Sequence, residues 1–354
     1  MTMNTDWRQF LQQRGATLQD GIALHFTDAP SELIATQNAA VLCDLGQFGV
    51  LRVSGEEAQT FLQNLLSNDI RAVDAAHAQL SSLNSPKGRM LASMLIWRDG
   101  NDYLMQLPRA LCEPIRKKLS MYVLRAKVKI ADASDELVSL GVSISPGVSI
   151  SPDISGTQAE ASLRALFGEL PQQAFEAVNG EAASLIKLGE HHWQIGATPQ
   201  RAQEIWAAVA AQPVGSACWD WLNIRAGIPV ILPQTQEEFV AQMVNFEVLG
   251  GVNFKKGCYP GQEVVARMQH LGKPKRRMYL AHVDGAIPQP GDELYSADME
   301  GQSSGMTVNA AAAPGGGHDV LAVVQIASHD AHPIHLGSLA GARLQFQPPP
   351  YPLP

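Results

Sequence analysis

The chain has 354 residues, 45% of them hydrophobic and 17% charged, which is enough apolar material for two or three packed domains and excludes global disorder. The formal net charge of -8 sets up a field that repels polyphosphate, so a nucleic acid would need a local basic patch. Cys43, Cys112, Cys218 and Cys258 stand far apart without a CxxC pair, which speaks against a zinc ribbon or a disulfide framework and suits a reducing compartment.

The N-terminal MTMNTDWRQFLQQRG has charged and amide side chains where a signal peptide needs an apolar stretch. No run of about 18 apolar residues follows, so a cytoplasmic protein without a membrane partner is expected. In chain order, VLRV at 50–53 predicts a strand, and Ser54-Gly55-Glu56-Glu57 spaces serine and glutamate as a helix-capping box does. The helix that follows, over about 57–66, puts Ala58, Phe61, Leu62, Leu65 and Leu66 on one face and ends at Asn68-Asp69. Residues 80–84, 90–97 and 103–107 read as strands of an antiparallel meander, separated by Ser85-Pro86-Lys87-Gly88 and Arg98-Asp99-Gly100-Asn101. An amphipathic helix at 110–121 and an alternating strand at 127–130 complete an α+β unit with no βαβ nucleotide fold.

GVSISP occurs at 141–146 and again at 147–152, and its Ser, Gly and Pro content reads as a duplicated loop. Thr198-Pro199 opens a further helix that runs through Ile205, Trp206 and Val209. After Arg277 the pattern becomes short apolar runs such as 278–283 and 320–326, divided by Pro, Gly and Asp, which predicts a small β-barrel or sandwich. A proline-rich extended tail at 348–354 closes the chain.

The segment with the most chemistry is Lys255-Lys256-Gly257-Cys258-Tyr259-Pro260-Gly261-Gln262-Glu263. Two glycines flank Cys-Tyr-Pro and permit a tight turn that presents the thiol. The preceding lysines would favour its thiolate form. Glu263 and Arg267 add a carboxylate and a guanidinium suited to amide and carboxylate groups of a ligand. An inert buried cysteine is the competing reading, and the flanking residues weigh against it.

Residues 256–263 resemble the hallmark K-G-C-Y-x-G-Q-E of the YgfZ family of folate-binding proteins, relatives of the glycine-cleavage T protein. The likeness extends to 252–256, 264–267, Leu271-Gly272-Lys273, 223–229, Cys43-Asp44-Leu45 and 51–69. It implies an α+β T-protein-like three-domain ring, with two α+β domains and a small C-terminal β-barrel. In this chain those would be an N-terminal folate-binding domain at 1–135, a second α+β domain at 136–215, a returning segment with the signature at 216–277, and the barrel at 278–354. It further implies tetrahydrofolate as cofactor and iron–sulfur client proteins as partners, including tRNA-modifying ones, with no direct nucleic-acid partner expected. Cys258 would be the functional thiol, assisted by Lys256. Phe48, Trp219, Tyr259, Gln262, Glu263 and Arg225 would surround the folate, the two flat rings Phe48 and Trp219 by stacking.

The T-protein carries an acidic pair in the region that resembles 85–96, where this chain has Ala92-Ser93. Without that carboxylate, acid–base assistance of about 10²–10⁴-fold is missing, so aminomethyl transfer is not expected. The basic run Lys273-Pro274-Lys275-Arg276-Arg277 could meet a folate glutamate tail, a phosphate backbone or water. His329, His332 and His335 recur at intervals of three, but Pro333 forbids a regular helical face, so no metal site is expected. The readings are thus a folate-binding accessory protein of iron–sulfur protein assembly, a folate-dependent one-carbon transferase or demethylase, and an RNA-binding accessory factor.

Overall fold

The computed structural model describes residues 4–145, 155–270, 272 and 274–353, with the backbone alone at 155–157. Two compact units emerge, the first from Met1–Ala58, Ala72–Gln79 and Leu95–Trp219, the second from Gln59–Arg71, Leu80–Met94 and Asp220–Pro354.

In the first unit a six-stranded sheet runs in the order Ala177–Gly180, Ala183–Gly189, His192–Ala197, Val138–Ile144, Ala40–Asp44, Gln212–Val214. All pairs are antiparallel except the last. Val138–Ile144 and Ala40–Asp44 are buried at every position, because both faces of these central strands are covered. One face packs on Trp7, Leu11, Leu163, Ile205 and Trp206 from the helices Thr5–Gln13, Ser155–Phe167 and Pro199–Ala208. The first four residues of the GVSISP repeat therefore belong to a core strand rather than a loop, and 146–152 lie outside the described residues.

A second sheet of this unit pairs Phe48–Ser54 with Asp102–Pro108 on one side and Lys129–Asp132 on the other, and Asp102–Pro108 continues to residues 95–99. Helix Arg109–Val123 turns Leu111, Cys112, Ile115 and Leu119 inward. The expected capping box does not form. The helix begins only at Ala58, and the Glu57 carboxylate instead accepts the Lys127 backbone N–H at 2.6 Å.

The second unit carries the C-terminal sheet, whose six strands run His335–Leu336, Glu293–Tyr295, Ser303–Ala312, His318–Gln325, Arg276–Val283, Leu344–Phe346. Alternate residues Ala281, Val283, Val320, Ala322 and Val324 enter its core, and the intervening Leu280, Leu321 and Val323 are buried too, which is why the sequence shows continuous apolar runs there. The proline-rich tail is tied down, with the Tyr351 hydroxyl donating to the Gly227 carbonyl at 2.8 Å. Among the described residues no helix is long and apolar enough to cross a membrane.

Candidate functional site

The signature segment is fixed to the second unit by its backbone and by one buried charge. Asn68 donates its amide to the carbonyls of Leu80 and Gly250 at 2.8 and 2.7 Å, and the Ser67 hydroxyl reaches the Gly251 carbonyl at 2.7 Å. Two residues on, the Asn253 N–H meets the Ser67 carbonyl at 3.0 Å. Lys256 follows, 5% exposed, with its ammonium donating to the carbonyls of Gln63 at 2.7 Å, Asn68 at 3.1 Å, and Leu66. Gln63 is the last residue of helix Ala58–Gln63, so Lys256 satisfies carbonyls that a helix end leaves without partners. The helix is accordingly shorter than its apolar face, all five residues of which are buried.

Burial pushes the Lys256 ammonium down to about 8, while the nearby Asp69 favours the charged form. At neutral pH the group is charged, and its three donors are spoken for. The expected help from Lys256 to the thiol is replaced by a positioning role. Asp69 itself is gripped by the Arg71 guanidinium at 2.8 and 2.6 Å, which holds its carboxyl down to about 2.

Beyond Lys256 the chain turns outward and back. Cys258 is exposed, whereas Cys43, Cys112 and Cys218 are buried. Tyr259 is 6% exposed, its ring centroid 5.1 Å from the Lys256 ammonium, and burial raises its hydroxyl to about 12. Gly261 adopts a φ of +80°, and a Cβ there would lie 2.5 Å from Gly88 Cα and 2.6 Å from Gly88 N. Only glycine allows the segment to press against the 85–88 turn. Gly257 needs no such freedom, since nothing lies within 4 Å of the place its Cβ would take. Helix Gln262–His270 starts at once, and Gln262 returns its amide to the Lys256 carbonyl at 3.5 Å. Glu263 is exposed and paired with Arg267 on the same helix.

Lys256, Tyr259 and Gln262 are thus brought together around the Cys258 turn, and other expected members are not. Arg225 lies 3.6 Å from the Asp319 carboxylate and also bonds Gln347. Asp319 additionally receives the Trp221 indole at 2.9 Å and the His282 ring at 2.8 Å, so Arg225 serves the C-terminal sheet. Trp219, in the first unit, is 1% exposed and stacks on His192 with centroids 4.2 Å apart. Its other neighbour is Gly141, where any Cβ would overlap the ring, so Trp219 is a core residue rather than an open stacking platform. Burial holds the His192 ring down to about 4, and therefore neutral.

Phe48 has the opposite fate. Half-buried, it lines a shallow open cleft in the first unit with Trp7, Asp44, Gly46 and Arg109. In the sequence Asp44 stands out only within Cys43-Asp44-Leu45, and the structure buries it at the end of strand Ala40–Asp44. Its carboxylate accepts the Trp7 indole N–H at 2.8 Å and the Gly46 N–H at 3.2 Å, and burial pushes its pKa up to about 6.

At the place of the T-protein's acidic pair, Ala92 is buried, and the Ser93 hydroxyl is held between the Pro229 carbonyl at 3.2 Å and the Ile231 N–H at 3.0 Å. Of the basic run, Arg277 is buried against Glu247 at 2.6 Å, and Lys273 lies outside the described residues. His329 stacks on Tyr279 at 3.8 Å, and His335 bonds the Gly341 carbonyl at 3.0 Å. Among the described residues no group of three His, Cys, Asp or Glu could hold a metal.

Residues 8–247 match the model of the GCVT N-terminal domain family. The "tRNA-modifying protein YgfZ" of Enterobacter sp. (strain 638) is 30% identical over 317 residues, covering 88% of this chain and 93% of the relative. Its namesake from Klebsiella pneumoniae (strain 342) is 32% identical over 259 residues, 72% of this chain and 75% of the relative. Among solved structures, the glycine cleavage system aminomethyltransferase T from Bartonella henselae superposes with a TM-score of 0.75 at 16% identity, covering 96% of this chain and 94% of that one. The α+β architecture is therefore that of the T protein, and the chain belongs to the YgfZ family within the GCVT-domain proteins.

Proposed function

We propose that the chain binds tetrahydrofolate and acts as an accessory protein in the assembly or repair of iron–sulfur proteins, including those that modify tRNA, with Cys258 as its working thiol. One observation carries this reading: Lys256, Tyr259 and Gly261 are buried or pressed into the fold, and they leave Cys258 exposed at the apex of a fixed turn. A residue with only a packing role would be turned inward, as the other three cysteines are. For the folate, Phe48 is a half-exposed ring suited to stacking, in a cleft whose Asp44 and Arg109 offer polar partners for a pterin or a carboxylate. Bound there, tetrahydrofolate would supply a reduced pterin able to carry one-carbon units. Ser93, fully engaged by 229–231, has neither the acidity nor the freedom to assist transfer at a folate nitrogen, which favours the accessory reading over the transferase.

The test joins a titration and a complementation. Reduced folate is titrated while tryptophan fluorescence is followed in the wild type and in Phe48→Ala, and Cys258→Ala is asked to restore iron–sulfur enzyme activity in a deletion strain. The reading expects saturable binding weakened in Phe48→Ala, and no rescue by Cys258→Ala. Absence of binding removes the folate, and full rescue removes the thiol.

A further inference from the structure

The cleft beside Phe48 holds two cations that the fold leaves largely unused. Its lining brings together Arg8 of helix Thr5–Gln13, Arg109 at the start of helix Arg109–Val123, Asp44, Phe48 and Ser134, all in the first unit. Arg109 donates its Nε–H to the Gly46 carbonyl at 2.8 Å, which fixes the plane of the guanidinium, while among the described residues its Nη groups meet no acceptor. Arg8 has no side-chain hydrogen bond and no ion pair among those residues, and its Nε lies buried without a partner. A half-buried guanidinium with no acceptor leaves its charge uncompensated, a cost that an anion in the cleft offsets. Among the described residues Asp44 is the one carboxylate of the lining, and it is already engaged by the Trp7 indole N–H at 2.8 Å and the Gly46 N–H at 3.2 Å. Two arginines and one charged carboxylate leave the lining at a formal +1. Asp135, next to Ser134 in the chain, offers its backbone carbonyl to Asn4 at 3.2 Å and forms no ion pair with either arginine.

We infer that Arg8 and Arg109 form a carboxylate-binding site, and that they hold the glutamate tail of the reduced folate with the Phe48 ring against the flat group that precedes it. The inference rests on the folate reading and assigns one end of that ligand. Charge is the first argument, because one carboxylate brings the lining to neutrality and planar guanidiniums offer paired N–H donors that match its two oxygens. Shape is the second. The cleft is shallow and open, so it admits a terminal group of a ligand that continues outside it and does not enclose a whole molecule. The third is the half-buried Phe48 ring in the same lining, which gives a flat group a face to stack on and would add nothing for a bare inorganic anion.

The experiment is titration calorimetry of the full chain with tetrahydrofolate, with its glutamate dimethyl ester, in which both tail carboxylates are neutral, and with γ-linked triglutamate alone. Arg8→Gln and Arg109→Gln should each weaken tetrahydrofolate by roughly 10-fold, the loss of one charge-assisted contact. The ester should bind the wild type about as weakly as tetrahydrofolate binds the double variant, and in that variant esterification should change affinity by less than about twofold. Arg14→Gln removes the same charge from the end of the same helix, outside the lining, and should leave affinity within about twofold. Arg8→Gln breaks no hydrogen bond of the fold, so it decides the matter if Arg109→Gln, which loses the bond to Gly46, melts early. Equal binding of acid and ester by the wild type, or unchanged affinity in Arg8→Gln, overturns the inference and leaves the folate reading standing. If tetrahydrofolate does not bind in either form, the folate reading falls. Triglutamate binding that Arg8→Gln abolishes then keeps the pair as a carboxylate site with another source, and no triglutamate binding overturns both. Inorganic phosphate that displaces the ligand as well as triglutamate does overturns the carboxylate assignment and gives the pair to a phosphate group.

Discussion

Replacing Lys256 with methionine keeps the length and most of the volume of the side chain while deleting its charge and donors. In the native unit the ammonium donates to three carbonyls, those of Gln63, Leu66 and Asn68, all inside the second unit. Each lost bond to a charged donor removes about 1.5 kcal/mol or more, and each carbonyl left buried without a partner adds its own desolvation penalty. Relaxation and water entry recover part of this, so a loss of about 3–5 kcal/mol is expected. For a unit of this size that corresponds to a melting shift of roughly 10 °C. Scanning calorimetry is the appropriate measurement, because two compact units can unfold in separate transitions and only the one containing Lys256 should move. A shift below about 2 °C would mean that the carbonyls find other donors and that Lys256 is not the clamp of this turn.

The same geometry predicts an asymmetry between the two glycines of the signature: Gly261→Ala, at φ +80° against the 85–88 backbone, should cost about 2–4 kcal/mol, whereas Gly257→Ala should change stability by less than about 0.5 kcal/mol. Thermal melts of the two variants decide it. Trp219→Ala removes a ring held between His192 and Gly141 and should cost about 3–5 kcal/mol, while Phe48→Ala, at a half-exposed position, should cost about 1 kcal/mol or less. Equal losses in urea titrations would contradict the assignment of Trp219 to the core. Asp44 should give a pH signature, because its folded pKa of about 6 lies above the unfolded value of 3.8. Between those values the folded state holds a proton that the unfolded chain has released, so this group makes stability fall as pH rises through the window. Asp44→Asn keeps an acceptor for the Trp7 indole and abolishes that slope; an unchanged stability–pH curve in the variant would show that the carboxyl titrates normally.

The sequence made the strands and the cysteine turn legible because their signals are local. The strand at 79–84 is buried at every position and that at 276–283 at most of them, as short apolar runs between turn formers suggest. What it hid depends on distant partners. The helix predicted to Leu66 stops at Gln63, where a lysine almost two hundred positions later receives its end. Glu57 looked like half of a capping box and instead binds a backbone N–H at 127. The aromatic pair shows the limit most clearly. Phe48 and Trp219 are equivalent as flat rings in a sequence, and only the placement of Gly141 and His192 closes one of them off. The basic run at 273–277 is contiguous in sequence, yet its Arg277 is buried in an ion pair with Glu247, a partner that the sequence does not point to.

The signature divides its residues between holding and presenting. Lys256 anchors the strand of chain before the turn, Tyr259 fills the interior directly after it, and Gly261 lets the exit press against 85–88 so that a helix can begin one residue later. Cys258 alone among the four side chains has no part in that scaffold and faces solvent. A turn held at three points with one free reactive side chain is how a fold fixes the position of a thiol while leaving it accessible to a second molecule. At the place of the T-protein's acidic pair the opposite holds, because Ala92 is buried and the Ser93 hydroxyl is bound on both sides, by the Pro229 carbonyl and the Ile231 N–H, so neither side chain is presented as the Cys258 thiol is.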